Sequence, residues 1–214
     1  MTQPNCAIID YGIGNVFSVR RALEQIGVEA ELTADPDRIL AADRVILPGV
    51  GAFGRAMEKL RQDGLDRVVH DYVASGKPFL GICIGLQVLM EASEEFGSHT
   101  GLGLIPGRVR KIPVEDDAAS NFRVPFIGWS PVAESQSGAW QGTPLQDVPD
   151  PNAFYFVHSY EAVVSEPDHL IATHTLGGRA ITSAVRRDNV MGVQFHPERS
   201  ADHGLRFLEA FVNL

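Results

Sequence analysis

Apolar positions in the first hundred residues alternate between two rhythms. Short β-branched runs at Cys6–Asp10, Val28–Thr33, Arg44–Leu47 and Pro78–Ile82 predict strands. Between them, Val16–Ile26 places Val16, Val19, Leu23 and Ile26 at helical spacing, and Arg55–Arg61 and Leu65–Ala74 predict two further helices. Each helix ends near a glycine: Gly27, Gly64 or Gly76. Strands alternating with helices predict a mostly parallel sheet covered by helices. From about Gly101 the pattern becomes strands and turns, with strands predicted at Leu102–Ile112, Val124–Val132, Ala153–Ser159, Leu170–Leu176, Ala180–Val185 and Val190–Gln194. A last helix, Gly204–Val212, carries Leu205, Leu208 and Phe211 on one face, while Asp116–Asn121 and Glu134–Gly142 read as polar surface loops. The expectation is an α/β fold with a mostly parallel central sheet flanked by helices and an additional strand-rich antiparallel portion, folded as one domain over residues 1–214.

Composition narrows the function. The 18 basic and 27 acidic residues give a net charge of −9, which disfavours nucleic acid and anionic membranes as partners. The uncharged run between Lys77 and Glu91 is too short to cross a bilayer, and the first residues lack the basic and apolar regions of a secretory signal. Two cysteines, Cys6 and Cys83, form neither a disulfide framework nor a zinc cluster, so a reducing, cytoplasmic setting is expected.

The chemistry concentrates in two motifs. In Lys77-Pro-Phe-Leu-Gly-Ile-Cys-Ile-Gly-Leu-Gln87 an apolar strand runs into Gly81-x-Cys83-x-Gly85 and then a helix, the thiol version of a nucleophile elbow. Free amides at that helix start favour the thiolate. Cys6 has neither glycines nor a turn and reads as structural. Of seven histidines (70, 99, 158, 169, 174, 196 and 203), His196 has an arranged neighbour. In Val190-Met-Gly-Val-Gln-Phe-His196-Pro-Glu198 an extended backbone, favoured before Pro197, points His196 and Glu198 to the same side. That makes His196 a candidate base and Glu198 its orienter. His158, at the end of Phe154-Tyr-Phe-Val-His-Ser-Tyr160, has no neighbouring carboxylate and ranks below it. Gly49-x-Gly51-x-x-Gly54 admits two uses: a dinucleotide fingerprint, which would here follow the third strand rather than the first, or amides for an oxyanion opposite Cys83.

Taken together, Gly81-Ile-Cys83-Ile-Gly85-Leu-Gln87 and the downstream His196-Pro-Glu198 resemble the class I, triad-type glutamine amidotransferases, an α/β, flavodoxin-like fold. Further marks are Asp10-Tyr-Gly-Ile-Gly-Asn15, Pro48-Gly-Val-Gly-Ala-Phe-Gly54, Phe156-Val-His-Ser-Tyr160 and Gly192-Val-Gln-Phe-His-Pro-Glu-Arg-Ser200, covering nearly the whole chain. Within the family they resemble the glutaminase subunits of the histidine pathway. The resemblance implies Cys83 as nucleophile, His196 as acid and base, and Glu198 as its support. It also implies substrate contacts from Gly51, Gln87, His158, Ser159 and Tyr160, with no cofactor and no metal. It further implies a heterodimer with a separate (β/α)₈ synthase subunit that takes the ammonia, for which Asn15, Trp129 and Arg199 are the interface candidates.

One segment departs: Pro125-Phe-Ile-Gly-Trp-Ser130 stands where the histidine-pathway proteins usually read Pro-His-Met-Gly-Trp-Asn. It leaves open a paralogue that aminates sugar nucleotides for surface polysaccharides. Two other readings carry distinct expectations: a dinucleotide-binding protein would hold a nicotinamide or flavin, and a non-catalytic regulatory subunit would bind a barrel partner without hydrolysis.

Overall fold

A computed structural model describes residues 5–113 and 123–214. In chain order its first half runs β1 (Cys6–Ile9), α1 (Val16–Gln25), β2 (Ala30–Thr33), α2 (Pro36–Ala41), β3 (Arg44–Gly49), α3 (Phe53–Gln62), α4 (Leu65–Ala74), β4 (Phe79–Cys83) and α5 (Ile84–Val88). The strand-rich half follows with β5 (Met90–Ser93), β6 (His99–Thr100), β7 (Ile105–Lys111), β8 (Phe126–Glu134), β9 (Ala153–His158), β10 (Tyr160–Val164), β11 (Leu170–Leu176), β12 (Arg179–Arg187) and β13 (Val190–Val193), and α6 (Ala201–Val212) closes the chain.

Nine strands form one sheet in the order β2-β1-β3-β4-β13-β12-β11-β8-β9. The pairings from β2 to β13 are parallel and those from β13 to β9 antiparallel. A second sheet, β10-β7-β5-β6, stands beside it. Strands β1, β4 and β13 are buried along their whole length, as a sheet covered on both faces requires. Helix α3 turns Phe53, Ala56, Met57 and Leu60 inward, and α4 turns Leu65, Val68, Val69 and Tyr72 inward.

The short helix α2 escapes the periodicity because six residues hold too few apolar positions, although its start is signalled: Asp35 accepts from the Asp37 amide and Pro36 opens the first turn. Helix α6 begins at Ala201, ahead of the predicted Gly204. Gly204 is there for contact, since a Cβ on it would lie 1.8 Å from the Pro197 carbonyl oxygen. The predicted Leu102–Ile112 strand shortens to β7, and Val124–Val132 shifts to β8; β5, β6 and β10 add strands that the pattern did not predict. The surface loop predicted at Glu134–Gly142 is present as hydrogen-bonded turns over residues 135–142, with the Trp140 indole donating to the Ile171 carbonyl at 3.1 Å. The Asp116–Asn121 loop lies outside the described residues. Among the described residues no helix is long and apolar enough to cross a membrane.

β1 has β2 on one side and β3 on the other, so the strand order reverses there. Ligands of open parallel sheets bind beyond the carboxyl ends of the strands near such a reversal. Three loops of chemical interest leave that edge: Asp10–Asn15 after β1, Val50–Ala52 after β3 and Gln194–Glu198 after β13.

Candidate active site

β4 lies between β3 and β13, so its last residue, Cys83, faces contributions from both. Register pairs Cys83 with Gly49 and Ile82 with Val193, which brings Gln194 and then His196 past the thiol. Cys83 has φ 57° and ψ −111°, a conformation non-glycine residues adopt only when their surroundings impose it. The flanking glycines allow this. A Cβ on Gly85 would sit 1.8 Å from the Leu47 carbonyl oxygen, and one on Gly81 would sit 2.5 Å from that of Gly85. The elbow predicted from Gly81-x-Cys83-x-Gly85 is therefore present.

His196 and Glu198 meet as the alternation predicted. The His196 Nδ1–H donates to Glu198 Oε1 at 2.8 Å, with the two side chains only 4% and 1% exposed. Nε2, the other ring nitrogen, has no hydrogen-bond partner. Burial opposes a charged ring, but Cys83 on one side and Glu198 on the other overcome it and raise the pKa of His196 from 6.5 to about 10. The imidazole is thus held protonated at neutral pH beside a sulfur. In a thiolate–imidazolium pair backed by a carboxylate, the sulfur can attack a carbonyl carbon and the imidazolium can then protonate the leaving group. Cys6, by contrast, is fully buried with its pKa pushed up to about 12 by desolvation, which makes it inert.

A cleft of ≈ 310 Å³ opens over Cys83 and His196 and is lined also by Gly51, Gln87, His158, Ser159 and Tyr160, so the residues expected to contact substrate share one cavity. Gly51 adopts φ 87° with open space where a side chain would stand. Val50 and Gly51 of its loop line this cleft, while Ala52 and Gly54 line a neighbouring groove, where Gly54 packs under the His99 ring. His158 donates from Nδ1 to the Tyr160 carbonyl at 2.9 Å and stays neutral, its pKa lowered to about 4 by burial.

Asn15 is half-buried and reaches inward, its Nδ2 donating to Glu198 Oε1 at 3.4 Å. Trp129 stays outside at 53% exposure, edge-on to Tyr155, and the Arg199 guanidinium lies 4.3 Å from the centre of the same Tyr155 ring. Sequence reasoning missed three residues of the site, two that line the cleft and one buried behind the thiol. Glu95, which no motif singles out, is buried, lines the cleft and accepts from the Phe53 amide at 2.5 Å. Phe96, 84% exposed, lies at the cleft mouth edge-on to Tyr160. Gln194 lies two residues before His196 in the segment that follows β13, a period-two spacing that would have found it. Among the described residues no cluster of His, Cys, Asp and Glu is arranged to hold a metal ion.

The family model of glutamine amidotransferase class-I matches residues 7–213. Imidazole glycerol phosphate synthase subunit HisH of Rhodopirellula baltica is 46% identical over 205 residues, 96% of this chain and 95% of its own. The subunit of that name from Synechococcus elongatus is 46% identical over 213 residues, covering 99% of this chain and 94% of its own. Among solved structures, PurLQS from Thermotoga maritima is similar in fold, with a TM-score of 0.72 at 18% identity over 99% of both chains. A family match from Ala7 to Asn213, carried by near-complete relatives, leaves one conclusion: the chain belongs to the class I glutamine amidotransferases.

Proposed function

We propose that the chain is the glutaminase subunit of an imidazole glycerol phosphate synthase, hydrolysing glutamine to glutamate and passing ammonia to a separate (β/α)₈ synthase subunit in histidine biosynthesis. The His196–Glu198 pair held against Cys83 at the cleft floor is the observation that carries the chemistry. The near-complete relatives named as synthase subunits support the pathway, and they do so despite Phe126 and Ser130. The sheet continuous through both halves supports reading residues 1–214 as one domain. Two free cysteines, one of them needed reduced, fit the cytoplasm.

In this reading the Cys83 thiolate attacks the carboxamide carbon of glutamine, forming an S–C bond. The Gly51 amide side of the loop stabilises the oxyanion. As the C–N bond breaks, His196 transfers its Nε2 proton to the nitrogen, which leaves as ammonia. Neutral His196 then takes a proton from water, whose oxygen attacks the thioester carbon; the C–S bond breaks, glutamate departs and the thiolate–imidazolium pair is restored. Glu198 supports the charged ring throughout. Buried Glu95 is a suitable partner for the substrate ammonium, and Gln87 with residues 158–160 encloses the rest. Trp129, edge-on to Tyr155, and Arg199, over the Tyr155 ring, present an aromatic and cationic surface for the synthase, and Asn15 donates to Glu198.

The test is Cys83→Ala, assayed for glutamate release with the synthase subunit present. Turnover should fall at least about a thousandfold while synthase binding is retained; unchanged turnover would remove the assignment.

A further inference from the structure

Gln194 is fully buried beside the nucleophile. Both ends of its carboxamide are engaged: Oε1 accepts from Gln87 Nε2 at 3.0 Å, and Nε2 lies 3.6 Å from Cys83 Sγ as a donor to it. An amide could in principle present either end to the sulfur, so its direction has to be fixed by its neighbours. Here the neighbours decide it. The Tyr160 carbonyl oxygen can only accept, and Gln87 lies 3.3 Å from it, so Gln87 must turn its NH₂ toward Tyr160. The same NH₂ then meets Gln194, which must answer with its oxygen. That leaves the Gln194 NH₂ for the sulfur. The Tyr160 carbonyl is itself held by the His158 Nδ1–H at 2.9 Å.

The geometry points to Gln194 as a positioning residue for the reaction: its carboxamide donates an N–H to the Cys83 sulfur, holding the thiolate toward the cleft, with the direction of that donor set through Gln87 by the Tyr160 carbonyl. A thiolate accepts such a bond strongly and a thioester sulfur weakly, so the donor favours the attacking form and its return. Gln87 thereby acts on the nucleophile as well as lining the cleft. The inference rests on Cys83 being the nucleophile.

Two near-isosteric variants separate this role from mere packing. Gln194→Met removes the donor. Gln194→Glu keeps an acceptor for Gln87 but turns an oxygen toward the sulfur. The titratable groups around the thiol, His196 with Glu198 behind it, Tyr11, His158 and Glu95, stay in place in both. The measurement is the rate of Cys83 alkylation by iodoacetamide on the full chain between pH 5.5 and 9.5, with Cys83→Ala as the blank. The profile should move to higher pH by about one unit in Gln194→Met and further in Gln194→Glu, and kcat should fall about tenfold with KM for glutamine nearly unchanged. If Gln194→Met does not fold, as judged by circular dichroism, the upward displacement in the smaller Gln194→Ala, which also lacks the donor and adds no charge beside the sulfur, carries the test. Profiles that superimpose on wild type, with the loss confined to KM, would show that Gln194 only props Gln87 and would overturn the proposal. Full glutaminase activity in Cys83→Ala would instead overturn the nucleophile on which it rests.

Discussion

Replacing Glu198 by Gln keeps the shape of the side chain and one acceptor oxygen but removes the charge behind His196. Asn15 makes the outcome specific. Its Nδ2 donates to the same oxygen, Oε1, that His196 uses, and an amide placed there is therefore held with its carbonyl, not its NH₂, toward the ring. The imidazole tautomer survives, and only the electrostatic support is lost. For side chains 4% and 1% exposed the loss belongs at the upper end of a charge-assisted bond, about 2–3 kcal/mol, which is about 30- to 150-fold in kcat/KM. The His196 pKa, raised to about 10 partly by this carboxylate, should fall, drawing the alkaline limb of the rate profile toward neutrality. Glutamate release in the synthase complex, followed from pH 6 to 10, measures both effects. Asn15→Ala alone should cost less than about threefold, yet about tenfold more on top of Glu198→Gln, because the amide is then free to turn its NH₂ toward Nδ1. A loss below threefold in Glu198→Gln with an unmoved alkaline limb would refute the reasoning.

Gly85→Ala forces a Cβ to within 1.8 Å of the Leu47 carbonyl and should cost more than about 3 kcal/mol by urea unfolding, whereas Gly76→Ala, with φ 79° and open space around it, should cost only about 1 kcal/mol. Equal costs would show that the elbow can relax. His158 and His174 are buried neutral, their pKa values lowered from 6.5 to about 4 and about 3. The unfolded chain binds their protons first as pH falls, so their contribution is present above pH 6.5 and is lost toward pH 4. Stability should drop by several kcal/mol between pH 6.5 and 4, and the slope should flatten in His174→Leu; a slope unchanged by that variant would count against the shift at His174. His196 stays protonated in the folded chain across that window and does not add to the slope. Trp129→Ala should weaken synthase binding about thirtyfold without moving the chain's own urea midpoint, and an unaltered affinity would place the interface elsewhere.

The site was legible where chemistry and local geometry share a few adjacent residues. Gly81-x-Cys83-x-Gly85 announces its own turn, and the two-residue step from His196 to Glu198 states its own alignment. Residues whose roles depend on distant partners were not readable in this way. Glu95 is indistinguishable from Glu94 along the chain, and burial against the Phe53 amide is what separates them. Asn15 suggested a surface contact because its partner, Glu198, is far away in the chain. The fold shows the same division. Strands β1, β4 and β13 of the parallel core are buried, largely apolar runs and fall near their predicted bounds, while two-residue β6 and mixed β10 exist only through pairing with β5 and β7. Helix α5, whose length the motif does not state, ends at Val88, two residues before β5 begins.

The position of β13 bears on how the enzyme comes into being. It is the last strand in the chain, yet it inserts at the centre of the sheet between β4 and β12. A ribosome-bound chain that has completed the thiol elbow still lacks His196 and Glu198. Parallel pairing over such a separation closes a long loop and is slow relative to local helix formation. A nascent or nicked chain therefore holds a cysteine without its acid and base. Glutaminase activity should appear abruptly, with the final long-range pairing, so partly folded molecules do not waste glutamine.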